Sequence, residues 1–371
     1  MTTPLNSVAL PPGVCSVASA AELPRADWDG LTGADDLFLS TRWLDVVERT
    51  AGVPMRYLWV ERDGALVAGL ATALATRDAP WLLGRTDAVL RRAAASDFPD
   101  AADLLAEVQD ADALLPSLLA GGRQLGNTRV LHGPHSRPED LAALVGAAET
   151  LAREAGAASL AFLFVADRDR PLADLLARRG YTSFTSGRYA TLTVPPTGFE
   201  GYLAAFSGRR RSIKAERRRI GAAGVTVAAE PLSTDVLPRL AELEAELIAK
   251  YGIPWSADRS LNLIGRTAER FGDDAFAVLA RAEGEIRGFS LVLRHHGAWY
   301  ARHSGFDYAF QRRTGTALYF EVGYYRLIEE AAAAGVGTIH YGFGSDATKA
   351  SRGCAIADQR CHLLRIRTNR P

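Results

Sequence analysis

The stretch QRRTGTALYF, Gln311–Phe320, places two arginines before a small-residue run that leads into a helix-patterned segment. Successive backbone N–H groups at a helix N-terminus, beside residues small enough for close approach, form an anion cradle. Arg312, Arg313, Thr314, Gly315, Thr316 and Ala317 join small residues to two cations and follow the strand-like AWYARHSGF, which makes them candidate binders of a phosphate-bearing group. The other reading is an ordinary helix start with its arginines in water. Upstream, SGRRRSIKAERRRIGAAGV (Ser207–Val225) carries Arg209, Arg210, Arg211, Lys214, Arg217, Arg218 and Arg219 against the single acid Glu216. At helical spacing Arg210, Lys214, Arg217 and Arg218 share a face, with Ile213 and Ile220 on another. Such a face attracts a polyanion through counterion release, or it simply solubilises the helix. His303 is of the type that moves protons near neutrality, or it is a strand histidine satisfied by a carbonyl. Asp307 can hold an amine or cap a turn. Tyr251 and Trp255, in KYGIPWSADRS (Lys250–Ser260), shape an acceptor pocket or act as a packing plug.

These residues need a scaffold. A chain of 371 residues exceeds the usual span of one hydrophobic core, which predicts two domains. Lys+Arg and Asp+Glu both number 43, so no global charge announces a nucleic-acid or membrane partner, and any such signal is local. Three cysteines, Cys15, Cys354 and Cys361, build no disulfide framework and fit a reducing compartment. No Cys/His grouping has metal-ligand spacing, and the neighbouring His295 and His296 face opposite ways on a strand, so no metal is expected. The first twenty residues lack a basic leader and carry two adjacent prolines, unlike a signal peptide. No uncharged apolar run reaches the roughly 20 residues of a spanning helix. The expectation is a cytoplasmic protein without membrane insertion. No nucleophile elbow is present, which argues against a hydrolase.

Internal repetition sets the architecture. ERDGALVAGLATAL (Glu61–Leu74) and RAEGEIRGFSLVLR (Arg281–Arg294) each place an acidic-Gly turn, Asp63-Gly64 or Glu283-Gly284, between β-patterned runs. Each is followed later by a helix with a glycine just past its end, Gly156 or Gly335, and then a buried strand. The apolar stripes are Leu141, Leu144, Val145, Ala148, Leu151 and Ala152 in one half, and Leu318, Val322, Tyr325, Ile328 and Ala332 in the other. TVPPTG (Thr193–Gly198) is the expected linker. This predicts two domains, 1–195 with an insertion at 76–137 and 196–371 carrying the basic helix and the anion turn.

LLARRGYTSFTSGRYATLTV (Leu175–Val194) resembles the closing segment of GNAT-superfamily acyltransferases. A tandem of two such units, the second opening on a basic helix, resembles the Fem-type enzymes that build peptidoglycan bridges. The late YGFGSDATKASRG (Tyr341–Gly353) is similar to that family's Gly-x-Gly…Lys segment, with Lys349 at the lysine position. The resemblance runs from about Leu37 to Arg365 and rests on the order of elements. It implies an α/β (α+β) fold of two GNAT-like domains, each a mixed sheet flanked by helices. It implies amide-forming acyl transfer onto a small-molecule or peptide amine, with aminoacyl-tRNA or acyl-CoA as donor co-substrate and no tightly bound cofactor. In such folds the donor lies beside a splayed central strand, here TIHYGFG (Thr338–Gly344), where only one of His340 and Tyr341 can face the substrate. Lys349, Asp307, His303 and Tyr341 are then the catalytic candidates, and the basic helix the tRNA-facing one. A non-catalytic nucleic-acid-binding module is the reading from another class.

Overall fold

The computed structural model describes residues 10–79, 82–122 and 126–366. The chain folds as two compact units, 1–189 with 357–371, and 190–356. The expected boundary at 195/196 lies close to the first crossing. The C-terminal segment differs from expectation: it returns to the first unit, because its strand finds its ladder partner there.

In the first unit the strands β1 (Val14–Val17), β2 (Met55–Arg62), β3 (Ala65–Ala75), β4 (Ser117–Ala120), β6 (Ser159–Ala166), β13 (Ala355–Arg365) and β7 (Thr182–Thr193) lie in the order β1-β2-β3-β4-β6-β13-β7, and β5 (Leu131–His132) pairs with β3. The β4–β6 pair is parallel, over Ser117–Leu119 against Ser159–Ala161. Helix Pro138–Glu154 packs on this sheet, and its stripe Leu144, Val145, Ala148, Leu151 and Ala152 is fully buried. Strand β4 falls inside the segment expected to be an insertion. Ser-Leu-Leu-Ala is buried throughout and shows no alternation, so periodicity cannot reveal it.

In the second unit β8 (Thr226–Pro231), β9 (Ala275–Ala282), β10 (Glu285–His295), β11 (Ala298–Phe306), β12 (Thr338–Gly342) and the last residues of β7 follow in that order. Again one pair is parallel, β11 with β12.

The two hairpins repeat in detail. Asp63-Gly64 and Glu283-Gly284 are both left-handed turns. Each hairpin has a register shift that leaves one residue unpaired at the same offset from its turn, Val67 in β3 and Arg287 in β10. Each hairpin also occupies the second and third places from the edge of its sheet.

The helical stretch after β11 departs from the simple stripe. It runs as Leu318–Phe320, a π-turn over Glu321–Tyr325, and a helix Arg326–Ala333. The wider turn buries Gly323 and Tyr324 beside Val322 and Tyr325, and such turns recur at functional sites.

Candidate active site

The parallel pairing of β11 and β12 covers only Ala298–Tyr300 against Thr338–His340. Beyond it the strands part around a cavity of about 460 Å³, lined by Ala301–Ser304 on one side and by Tyr341 and Phe343–Ser345 on the other. In the first unit Thr128 lies alongside β6, its N–H donating to the Phe164 carbonyl (2.9 Å) while its hydroxyl accepts from the Phe164 N–H (3.2 Å).

A bulge decides what faces the cavity. Leu291 pairs with His303 and Val292 with Ala301, leaving Arg302 as the extra residue of β11. Bulges re-aim side chains, and here His303 takes the same sheet face as Gly305, toward helix Leu237–Ala249. A Cβ on Gly305 would lie 2.3 Å from the Leu243 carbonyl carbon, so glycine is what lets strand and helix approach so closely. The approach brings Glu244 to His303, with Nδ1 to Oε1 at 2.6 Å. Glu244 Oε2 accepts from the Ser260 hydroxyl at 2.6 Å, and Ser260 accepts from the Trp255 indole N–H at 2.9 Å.

Burial, with the Arg302 charge, pushes the His303 imidazole below its ordinary value against the opposing pull of Glu244. Burial pushes Glu244 up, but His303, Ser260 and Arg302 together hold it below the ordinary carboxylate range. The pair is therefore a carboxylate accepting Nδ1–H from a neutral imidazole. His303 Nε2 is buried, without a hydrogen-bond partner among the described residues, and is left as a proton acceptor.

The other sequence candidates fall into several roles. Tyr341 lines the cavity but is committed: its hydroxyl donates to the Gly323 carbonyl at 2.6 Å, and its ring stacks on Tyr324 at 4.5 Å. Burial holds its phenol well above the ordinary value. His340 stacks instead on Tyr300. Lys349 is neither a mobile surface lysine nor a group extended to substrate. Its ammonium donates to the carbonyls of Tyr341, Gly342 and Phe343 at 2.7, 2.9 and 2.8 Å. Left-handed Gly342 and Gly344 let the loop wrap around that charge. Asp307 caps helix Tyr308–Thr314, accepting from the Phe310 N–H at 2.8 Å, and pairs with Arg287 at 2.9 Å. Burial pushes its carboxyl up, yet the Phe310 N–H and Arg287 bring it below the ordinary range. Tyr251 is exposed at the cavity rim. Trp255 serves the Ser260–Glu244 chain rather than a pocket wall.

The Arg312–Ala317 segment is not the expected loop. Arg312, Arg313 and Thr314 form the end of the helix Asp307 caps, and Gly315 is its left-handed C-cap. Arg313 pairs with Glu283 at 2.8 Å. Thr314 and Thr316 bond each other through their hydroxyls, Ala317 precedes the next helix, and the Leu318 N–H donates to the Gln311 side chain at 3.1 Å.

The basic helix forms over Arg210–Ala222, with Ile213 and Ile220 buried. Arg209, Arg210, Arg211, Lys214 and Arg218 are exposed. Arg217, expected on the same face, turns inward to Glu321 and Glu329 at 2.9 and 2.6 Å and stacks on Phe199. A pair of acids opposite one arginine outweighs hydration of that side chain.

Sequence reasoning missed Glu244, Ser260, Gly305 and the bulge at Arg302. Only Glu244 left a trace, a carboxylate on the apolar stripe of Leu240, Leu243 and Leu247.

A family model described as FemAB-like, peptidoglycan biosynthesis/recognition, matches residues 124–367. The chain belongs to that FemAB-like family. Among solved structures it is similar to FemX, at 14% identity and TM-score 0.62 over 94% of this chain and 96% of that one. It is also similar to the C-terminal domain of a putative lysylphosphatidylglycerol synthetase from Agrobacterium fabrum, at 14% identity and TM-score 0.56 over 93% and 92%. A tandem GNAT protein from the clavulanic acid biosynthesis pathway matches at 14% identity and TM-score 0.52 over 95% and 98%. At these identities the likeness is one of fold, and the fold is shared with a tandem GNAT protein. No curated protein matches the chain. Among the described residues no helix is long and apolar enough to cross a membrane.

Proposed function

We propose that the second unit catalyses amide formation, moving an aminoacyl group from aminoacyl-tRNA onto the amine of a small molecule or peptide. One observation carries the acyl-transfer reading: a histidine oriented by a buried carboxylate, its second nitrogen unpartnered, on the wall of the cavity where β11 and β12 part. As the amine nitrogen bonds to the acyl carbon, His303 Nε2 takes the proton that nitrogen sheds, and Glu244 stabilises the imidazolium. The C–O bond to the tRNA ribose breaks, and the imidazolium returns the proton to the departing hydroxyl. The product is an amide and a free ribose hydroxyl. Lys349 acts at one remove, fixing the strand-end backbone that borders the reacting carbonyl.

Two features favour tRNA as the donor's handle. The exposed cations of the basic helix suit a polyanion, whereas in the expected phosphate turn Arg313 is already paired with Glu283 and Gly315 caps a helix. Membership of the FemAB-like family agrees. The competing donor is acyl-CoA, since the tandem GNAT protein of the clavulanic acid pathway is described in its form without AcCoA. The test is transfer of label from charged tRNA and, separately, from acetyl-CoA to a panel of amines. Amide formed only from charged tRNA, at a rate that falls steeply with salt, supports the proposal. Amide formed only from acetyl-CoA reassigns the donor, and no amide from either rejects acyl transfer.

A further inference from the structure

Many polar groups around the cavity where β11 and β12 part are already engaged with one another. The Lys349 ammonium is held by three carbonyls, and Arg302 also interacts within the protein. The Tyr341 hydroxyl donates to the Gly323 carbonyl, and those of Tyr319 and Tyr324 bond each other at 3.3 Å. The Gln311 side chain accepts from the Leu318 N–H, and the Lys250 ammonium lies 4.9 Å from the centre of the Tyr308 ring. What remains on offer is rings. Tyr308, Phe306, Tyr319, Tyr324 and Tyr341 all line the cavity. Each meets the next, with centroids 6.5, 5.7, 5.6 and 4.5 Å apart in that order. The π-turn contributes to this wall, since it carries Tyr324, whose ring lies within 7° of parallel to Tyr341.

A continuous aromatic wall favours another ring, by stacking or edge-on contact, or a large apolar group. The volume agrees. About 460 Å³ falls in the range of pockets that enclose a whole small molecule, and an acetyl or alanyl group would leave most of it to water. The wall also starts where the sheet opens: the pairing of β12 with β11 ends at His340, and Tyr341 is the next residue. A carbonyl held at that strand edge has the rings within reach of its substituent. Resting on the acyl-transfer reading, we propose that the transferred group is bulky and apolar, an aromatic aminoacyl or other aromatic acyl group, seated against the wall from Tyr308 to Tyr341.

The test is calorimetric binding of unreactive donor analogues to the full-length protein in two matched pairs. One pair is 3′-deoxy-3′-(L-phenylalanylamino)adenosine against its L-alanyl counterpart. The other is phenylacetyl-dethia-coenzyme A against acetyl-dethia-coenzyme A. Burial of one ring predicts that the ring-bearing member of one pair binds ~10–100-fold more tightly than its partner, and the pair that shows the gap identifies the donor's handle. Tyr308→Ala removes the ring at one end of the wall and should narrow the gap ~2–10-fold. The wild-type ratios decide even if the variant does not fold. Equal or tighter binding of the small-acyl members, or no saturable binding in either pair, overturns the proposal. So does a gap that a folded Tyr308→Ala protein leaves unchanged, which would seat the ring elsewhere. In turnover, a ring on the acceptor (2-phenylethylamine against ethylamine) that raises kcat/KM more than a ring on the donor overturns it too, by assigning the wall to the acceptor. A ring preference in binding with no amide from any donor would instead reject the acyl-transfer reading and leave the binding assignment standing.

Discussion

Replacing Glu244 with glutamine is the sharpest test of the proposed base. The substitution keeps volume and can still accept the Ser260 hydroxyl, but it removes the charge 2.6 Å from His303 Nδ1. Two losses follow. The imidazolium formed in the reaction loses a buried charge-assisted partner, about 1.5–3 kcal/mol or ~10–150-fold in rate. The glutamine amide can also donate to Nδ1, which moves the ring proton to Nε2 and abolishes the acceptor. General-base catalysis contributes ~10²–10⁴-fold, so a drop of about 10³-fold in kcat/KM is expected. The assay is initial-rate amide formation from pH 5.5 to 9.5, with circular dichroism to verify folding. The parent rate should fall on the acid side, below about pH 6.5, because burial lowers the His303 pKa. A folded Glu244→Gln protein within about 3-fold of the parent across that range would refute the role of the pair.

Further outcomes follow from the same geometry. Gly305→Ala sets a methyl against the helix backbone at Leu243 and Glu244. It should cost about 1–3 kcal/mol in denaturant unfolding and lower activity with it as Glu244 is pushed from His303. Lys349→Met removes the cation that three carbonyls surround. A loss of about 3 kcal/mol is expected, visible as a lower Tm, and an unchanged Tm would mean that the clamp is not structural. Arg217→Ala should destabilise by about 2–3 kcal/mol, because Glu321 is left buried. Arg218→Glu should leave stability within about 0.5 kcal/mol and weaken tRNA binding, with a shallower salt dependence in filter binding. The folded-state pKa values of His303 and Glu244 are both depressed. The stability they contribute is therefore present above the unfolded values, near 6.5 and 4.3, and lost as pH falls through the folded ones. Tm should decline from pH 7 to pH 5, and His303→Gln should flatten the first part of that decline.

Much of the architecture was legible because it depends on local rules. The acidic-Gly turns, the Leu141–Ala152 stripe and the Gly156 and Gly335 stops are short-range signals, and they located both hairpins and both long helices. Their order along the chain was enough to read a duplicated GNAT-like fold. The basic helix was equally clear from composition, although not the inward turn of Arg217, which depends on two acids more than a hundred residues away.

The site was another matter. Lys349 was picked out by its place in a motif, but the structure engages its ammonium with backbone carbonyls. Gly315 read as a phosphate-turn residue and proves to cap a helix. The residues that orient His303 come from a separate helix, reach it only where Gly305 permits contact, and face it only because one extra residue in β11 reverses the alternation. By itself the sequence determined the repeated elements, the apolar faces and the positive helix, since each follows from neighbours within a few turns or strands. Tertiary structure alone decided which histidine nitrogen is left unpaired, which lysine is enclosed and where the sheet opens. Those outcomes depend on register, and register is settled only when distant strands and helices pack.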